Sequence, residues 1–257
     1  MHPILFEVGS FKLHTFGLLM IAAFFAGLWL ARKRAPKYGL APDKVTDMSF
    51  FALLFGILGA RVVFILQELP HYLAHRDELL SIQFQGLTSF GGLLFGFGYL
   101  AYWAVRHKVS FLSVLDMMIA PMLLGQAIGR VGCLMNGCCY GGACPPGMPW
   151  GIHVDGMVGL FHPAQIYESF MDIGGLLILL ALERRGLNKG QSFGAGLILY
   201  GLARFIYEYW RAGFSSTYLP GLKITDAQAA AGSMMIIGLA VFLVFRNRAH
   251  SQQEIPA

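Results

Sequence analysis

The chain has 257 residues, of which 56% are apolar and only 13% charged, with a formal net charge of +5. Soluble domains carry roughly 25% charged residues, and a soluble fold of this length has no interior for so much apolar surface. The positive charge is no nucleic-acid footprint either, because the basic residues are spread among connections between apolar runs and are not gathered on one soluble surface.

The apolar residues are segmented into runs of the roughly 20 residues that a helix needs to cross a bilayer core. Spans are predicted over 13–31, 49–66, 87–105, 111–135, 164–182, 193–210 and 227–245. The fold class expected is therefore an all-α polytopic membrane protein with about seven transmembrane helices. Residues 1–12 contain Pro3 and Glu7 and lack a basic stretch ahead of the first apolar run, so the first helix reads as a true span and not as a cleavable signal. The third run is rich in glycine, and its Gly92 and Gly96 form a G-x-x-x-G pair expected to mark close helix packing. The sequence has no evident repeat or linker. One integral membrane domain over 1–257 is expected, with a connection at 136–162 and a short polar tail at 246–257.

Lysine and arginine in the connections set the orientation. Arg32, Lys33, Arg34, Lys37 and Lys44 follow the first span, Arg106 and Lys108 the third, Arg184, Arg185 and Lys189 the fifth, and Arg246 and Arg248 the last. The opposite connections carry Lys12, Arg76 and Lys223, with Arg211 at a boundary, and 136–162 contains neither Lys nor Arg. This bias predicts an outside (periplasmic) N-terminus, a cytoplasmic C-terminus and an outer-face position for 136–162.

Arg61, Arg130 and Arg204 are left inside spans. A cation near the centre of a membrane helix costs about 2.5–3.5 kcal/mol on insertion scales, so each needs a partner. One reading is an internal ion pair with Glu68, Asp116, Glu168, Asp172 or Glu208. The other is a phospholipid headgroup, whose phosphate oxygens match the donor fork of a guanidinium. In the sixth span Tyr200, Arg204, Glu208 and Arg211 share one helical face. An interfacial aromatic belt accounts for Tyr209, Trp210 and Arg211 but leaves out the deeper Arg204. The fifth span opens with His162 and Pro163, and Gln165, Glu168 and Asp172 then share a face. Polar stripes of this kind line a cavity or face a partner helix. Around Arg130 the glycines at 125, 129, 132, 137, 141 and 142 predict irregular backbone, which a membrane tolerates only where it is buried in protein or lines a cavity.

The four cysteines, Cys133, Cys138, Cys139 and Cys144, fall in one short stretch. The leading reading is one or two structural disulfides on an oxidising outer face. A tetrathiolate zinc site is disfavoured because adjacent Cys138 and Cys139 lack C-x2-C ligand spacing. A redox or acyl-carrying thiol is the third reading.

At these positions the sequence resembles the bacterial prolipoprotein diacylglyceryl transferases. Gly129-Arg130-Val131-Gly132, followed by Asn136-Gly137 and Gly141, is similar to that family's signature. Further matches are His14 with Gly17, Gly59-Ala60-Arg61, Gly91-Gly92-Leu93, His162 through Gln165 to Glu168, and Tyr200 through Arg204 to Glu208. The resemblance implies an inner-membrane enzyme working toward the outer leaflet without metal or other cofactor. It would move the diacylglyceryl group of phosphatidylglycerol to the lipobox cysteine of a prolipoprotein signal peptide, forming a thioether and releasing glycerol phosphate. The implied partners are phosphatidylglycerol, the prolipoprotein and the lipid bilayer, and no nucleic acid.

Arg130 and Arg204 correspond to the arginines that contact phosphate in the family, and the implied catalytic set is Arg130, Arg204, His162 and Glu208. Arg61, Gly129, Asn136, Gly141, Gln165, Tyr200, Phe90 and His14 are the implied substrate-binding positions. The chain departs from the family where Phe90 replaces the histidine proposed as base, where Cys133 and Cys138 replace the signature Asn and Glu, and where Phe16 replaces a tyrosine. Two alternatives follow. One is a paralogue that uses Cys133, Cys138 and Cys139 for another thiol-dependent phospholipid or redox reaction. The other is a non-enzymatic lipid-binding or transport protein, a class in which repeated halves with broken helices are expected and which this sequence does not resemble in that respect.

Overall fold

The computed structural model describes residues 4–8, 11–75, 86, 88–211, 218, 221 and 224–253. It opens on an antiparallel hairpin, β1 (Ile4–Val8) and β2 (Phe11–His14), which leads directly into α1 (Thr15–Arg34). A 3-10 turn over Ala35–Tyr38, closed by Gly39 at φ 72°, connects to α2 (Pro42–Gln67). The short α3 (Leu69–Ala74), α4 (Ser89–Arg106), α5 (Phe111–Met135), α6 (Ala164–Arg184), α7 (Gln191–Arg211) and α8 (Asp226–Gln253) follow.

Each of the seven predicted spans has a long helix over it. Five of the helical stretches are long and apolar enough to cross a bilayer: Thr15–Tyr38, Pro42–Gln67, Phe111–Met135, Ala164–Arg184 and Asp226–Arg246. The chain is a predominantly helical polytopic membrane protein. Apolar side chains cover its outside, as lipid contact requires: Phe170 is 74% and Ile236 71% exposed.

Three features go beyond the expected spans. The strand pair stands beside an otherwise all-helical architecture, its strands too short to give an apolar pattern in the sequence. The second helix begins seven residues before its apolar run, at Pro42, because Pro suits the first helical turn and Asp43 favours its positive end. Part of the tail expected to be a polar extension is helical, since α8 continues to Gln253 through Arg246 and Arg248, both good helix formers.

The chain divides into two compact units, 32–114 and 1–31 with 115–257. In the first, α2 and α4 approach through glycines. A methyl group on Gly91 would stand 2.4 Å from the Gly59 carbonyl oxygen, and Gly92 and Gly96 face the carbonyls of Gly56 and Ala52 at 3.5 and 3.6 Å, so the predicted G-x-x-x-G pair is a packing seam.

In the second unit, Leu30, Ile119, Leu123, Leu176, Leu179 and Ala195 form the core between α1, α5, α6 and α7. Asp116 of α5 receives the backbone N–H groups of Gly190 at 2.5 Å and Phe193 at 2.8 Å, which caps the start of α7 from another helix. Helices α7 and α8 meet where Gly194 and Gly238 each leave room for the other's carbonyl, 2.7 Å from where a Cβ would lie.

Gly194→Val or Gly238→Val should therefore destabilise the protein by about 1–3 kcal/mol, the usual scale of overpacking. Gly232→Ala enters open space and should leave stability unchanged or slightly higher. Thermal unfolding in detergent, followed by tryptophan fluorescence, separates the two cases. Equal melting of all three variants would contradict the packing assigned to α7 and α8.

Candidate active site

Three helices of the larger unit bring their polar faces together. Arg130 lies in the last turns of α5, Gln165, Glu168 and Asp172 line one face of α6, and Tyr200, Arg204, Tyr207, Glu208 and Arg211 line α7. Glu168, with a fully buried side chain, grips Arg130 from the side: Nε lies 2.7 Å from Oε2, and Nη2 donates to Oε1 at 3.0 Å. Gln126, one turn before Arg130, has its side-chain amide 3.2 Å from Nη2 and Nε, where its oxygen, once the amide is turned over, accepts from both. Arg204 pairs with Glu208 at 3.2 Å across one helical turn. Of the five carboxylates considered as partners, Glu168 and Glu208 take these two arginines.

Tyr207 is the hub of this cluster. Its side chain is fully buried, and the guanidinium carbons of Arg204, Arg130 and Arg211 stand 4.8, 5.4 and 5.7 Å from its ring centroid. Three cations share one aromatic ring, an arrangement that the negative quadrupole of the ring favours in a desolvated setting. The cluster still contains unsatisfied groups. Nη1 of Arg204, Oε1 of Gln165 and both carboxylate oxygens of Asp172 are buried with no hydrogen-bond partner. Such groups are costly unless a ligand or water completes them.

The connection after α5 closes over this cluster. Helix α5 ends where Gly137 takes φ 74° and the N–H of Cys138 returns to the Cys133 carbonyl at 3.1 Å. Gln165 Nε2 donates to the Cys138 carbonyl at 2.6 Å, and the Tyr207 hydroxyl donates to that of Cys139 at 3.1 Å. Gly141 exchanges backbone contacts with the start of α6: its N–H donates to the His162 carbonyl at 2.9 Å, and a Cβ there would stand 2.9 Å from that of His162. Cys139, although not glycine, sits in the left-handed region at φ 65°, a strained conformation that tends to mark functional positions.

All four cysteines are free thiols here. The thiols divide. The sulfurs of Cys133, Cys138 and Cys139 all lie within 4.8 Å of one another, and those of Cys138 and Cys139 are 3.7 Å apart. Cys144 is packed against Gly151 and is not a member of that trio. Linear spacing hid the cluster, because the turn at Gly137 and Cys139 brings together residues that the C-x2-C rule would keep apart. Burial pushes the Cys138 thiol up, whereas a hydrogen bond from Cys133, together with Cys138 and the charges of Arg130 and Arg211, brings Cys139 down to about 5.

The remaining predicted positions are distributed as follows. Gly129, one residue before Arg130, leaves space toward the Met20 sulfur, Asn136 is exposed at the end of α5, and Tyr200 is half-buried one turn before Arg204. His162 Nδ1 lies 3.3 Å from the Tyr167 hydroxyl, at the start of α6. His14 ends β2, with its side chain exposed. Arg61 and Phe90 belong to the smaller unit, where Arg61 packs on Tyr72 at 5.6 Å and approaches the Gly86 carbonyl at 3.4 Å, and Phe90 is 66% exposed. Tyr207 and Gln126 are members of this polar cluster that the sequence reading passed over. Their signal was helical phase, at i+3 from Arg204 and i−4 from Arg130.

A buried set of arginines and carboxylates, built by apolar helices and capped by an irregular connection, defines a polytopic membrane protein with a polar site of its own. Comparison with known proteins gives the family. The sequence model of the prolipoprotein diacylglyceryl transferases matches residues 3–244. The phosphatidylglycerol–prolipoprotein diacylglyceryl transferase of Bacillus cereus (strain 03BB102) is 30% identical over 252 residues, covering 94% of this chain and 91% of its own length. The Bacillus velezensis protein of the same name is 31% identical over 260 residues, covering 96% of this chain and 92% of its own length. The chain belongs to the prolipoprotein diacylglyceryl transferase family.

Removing Glu168 should show what the ion pair supports. Glu168→Ala leaves a buried guanidinium without its carboxylate and should cost about 3–5 kcal/mol. Tyr207→Phe keeps the ring and loses one hydrogen bond, a change of about 0.5–1.5 kcal/mol, whereas Tyr207→Leu also removes the π face under three cations. Thermal unfolding should rank the losses Glu168→Ala and Tyr207→Leu above Tyr207→Phe. A Tyr207→Leu protein as stable as Tyr207→Phe would refute the role given to the ring.

Proposed function

We propose that this protein transfers the diacylglyceryl group of phosphatidylglycerol to the thiol of a lipobox cysteine in prolipoprotein signal peptides, with Arg130 and Arg204 holding the phosphate. The observation that carries the residue assignment is the arginine pair over Tyr207, in which Nη1 of Arg204 is buried without a partner and Glu168 occupies only the Nε and Nη2 edge of Arg130. A phosphate oxygen satisfies the first donor and meets the open end of the second. Family membership supplies the reaction type.

In that reaction the thiolate attacks the glycerol carbon that bears the phosphate ester. The carbon–oxygen bond breaks, and negative charge grows on the departing phosphate. Fixed cations in a desolvated site stabilise that charge most where it develops, which is the usual source of such catalysis. Of the two candidate proton acceptors, Glu208 is engaged by Arg204, and His162 faces a tyrosine hydroxyl. Gln165 and Tyr200, on the same polar faces, would bind the headgroup.

The reading includes a topology. All seven long helices cross the bacterial inner membrane, with the N-terminus and the 136–162 connection outside and the C-terminus in the cytoplasm. Helix α7 is amphipathic, and its polar Gln191, Ser192 and Glu208 are buried in protein, away from lipid. The site then opens toward the outer leaflet. Membrane-impermeant labelling of introduced cysteines should modify the N-terminus and position 147 from outside, and positions 186 and 252 only after the membrane is opened. Labelling of position 147 from the cytoplasm alone would overturn the orientation.

In a strain depleted of its own diacylglyceryl transferase, this chain should restore growth and lipoprotein lipidation, read by mass spectrometry of accumulated lipoproteins. Arg130→Ala and Arg204→Ala should abolish rescue at normal expression. Arg→Lys at either position should rescue poorly, because an ammonium does not reproduce the guanidinium fork. Full rescue by folded Arg130→Ala and Arg204→Ala proteins would overturn the phosphate assignment.

A further inference from the structure

The thiol trio is unused by the proposed chemistry, and it stands where that chemistry has a gap. Cys133 lies three residues after Arg130 on α5, so the trio is one helical turn from the phosphate site. The sequence also lacks the histidine proposed as base in the family, having Phe90 in its place. Transfer to a thiol still requires that the thiol lose its proton.

We infer that Cys133, Cys138 and Cys139 form a three-thiolate zinc site whose fourth position takes the acceptor cysteine as a thiolate. The inference rests on the transferase reading above.

Geometry carries it. Zinc–sulfur bonds of about 2.3 Å in a tetrahedral site place the sulfurs about 3.8 Å apart. The Cys138 and Cys139 sulfurs are already at 3.7 Å, and the whole trio lies within 4.8 Å. Neighbouring residues in an extended chain point to opposite sides, which is why adjacent cysteines in such a chain are poor co-ligands. Here the left-handed backbone at Gly137 and Cys139 folds the chain back, and both sulfurs face the one at the end of α5. Gln165 and Tyr207 hold the two peptide carbonyls from α6 and α7, so the ligand loop is fixed by the same residues that border the arginine cluster.

Ligand number and charge favour zinc with an open position. Four protein ligands make a closed structural site, whereas three leave a place for a reactant. Cys144, the one remaining cysteine, is packed against Gly151 and is not in the trio. Three thiolates around a divalent ion carry a net negative charge, and Arg130 and Arg211 supply positive charge beside them, near Cys139. Soft sulfur donors select zinc or Cu(I) among available metals. Cu(I) is satisfied by three sulfurs and would offer nothing to the acceptor.

The chemical balance is simple. A lipobox thiol that binds zinc gives its proton to water and remains as a metal thiolate, since a coordinating thiol is deprotonated outright. That sulfur attacks the glycerol carbon, the sulfur–carbon bond forms, and the carbon–oxygen bond to phosphate breaks. The electron pair leaves on the phosphate oxygen of glycerol phosphate, between Arg130 and Arg204. The neutral thioether is a weak ligand and dissociates. No base at position 90 is needed.

The test uses the full chain, purified in detergent with a phosphine reductant, with its metal measured by mass spectrometry and then exchanged for Co(II). One zinc per chain is expected. Cys133→Ser and Cys139→Ser should each lose more affinity than the roughly 10–100-fold that an outer-shell change costs, and Cys144→Ser should bind as wild type. A lipobox cysteine peptide should raise the sulfur-to-cobalt charge-transfer absorption by about a third, as three thiolates become four in a tetrahedral site. The corresponding serine peptide should leave it unchanged.

Wild type that carries no metal, copper in place of zinc, or no cobalt response to the thiol peptide would each overturn the inference. So would undiminished transfer by chelator-stripped protein. The cobalt titration contains no phospholipid. A normal cobalt response in a protein that transfers no lipid would therefore defeat the transferase reading and leave the thiol-binding metal site established.

Discussion

The ion pair between Arg130 and Glu168 is the constraint on which the polar site depends. An arginine in a membrane span is costly, and a carboxylate buried on the next helix is costly as well, yet a bidentate contact inside protein satisfies both. The contact also fixes the relation of α5 to α6. Glu168 brings with it the rest of its helical face, so Gln165 meets the connection at Cys138 and Asp172 lies one turn further along. Tyr207 extends the arrangement to α7 by placing one ring beneath three guanidiniums and one hydroxyl on the Cys139 carbonyl.

This construction suits a reaction in which the leaving group is an anion. The arginines are held by packing and by carboxylates before substrate arrives, so little reorganisation is needed when charge appears on phosphate. The family reaction asks two things of a protein, stabilisation of the departing phosphate and activation of a thiol. On the assignment proposed above, this chain keeps the arginines for the first and differs from the family signature for the second at Phe90, Cys133 and Cys138. The free, clustered sulfurs make those differences intelligible as one change and not as separate losses.

The sequence made the spans legible because membrane helices announce themselves by long apolar runs, and each run has a helix over it. Helix ends were less visible: α2 starts in polar residues and α8 continues into them, since the signal read was apolarity and helices outlast it. The hairpin before α1 is too short to give a pattern. At the site, Arg130, Arg204 and Glu208 could be found because charge inside a span is rare, and Gln165 because it shares a helical face with Glu168 and Asp172. Tyr207 is less visible, because its only mark is helical phase, at i+3 from Arg204, and it carries no charge. The cysteine trio was hidden for a different reason: its proximity comes from left-handed backbone at Gly137 and Cys139, which a ligand-spacing rule does not encode.

The most direct measurement is transfer by the purified protein. Phosphatidylglycerol carrying isotopic label in its diacylglycerol part is supplied with a lipobox peptide, and peptide mass and released glycerol phosphate are followed together. The expected product is a thioether-linked peptide that contains the labelled diacylglyceryl group, formed one-for-one with glycerol phosphate and absent when Arg130 or Arg204 is replaced by Ala. A folded wild-type protein that leaves the peptide unmodified, or that modifies it equally well without those arginines, would contradict that expectation.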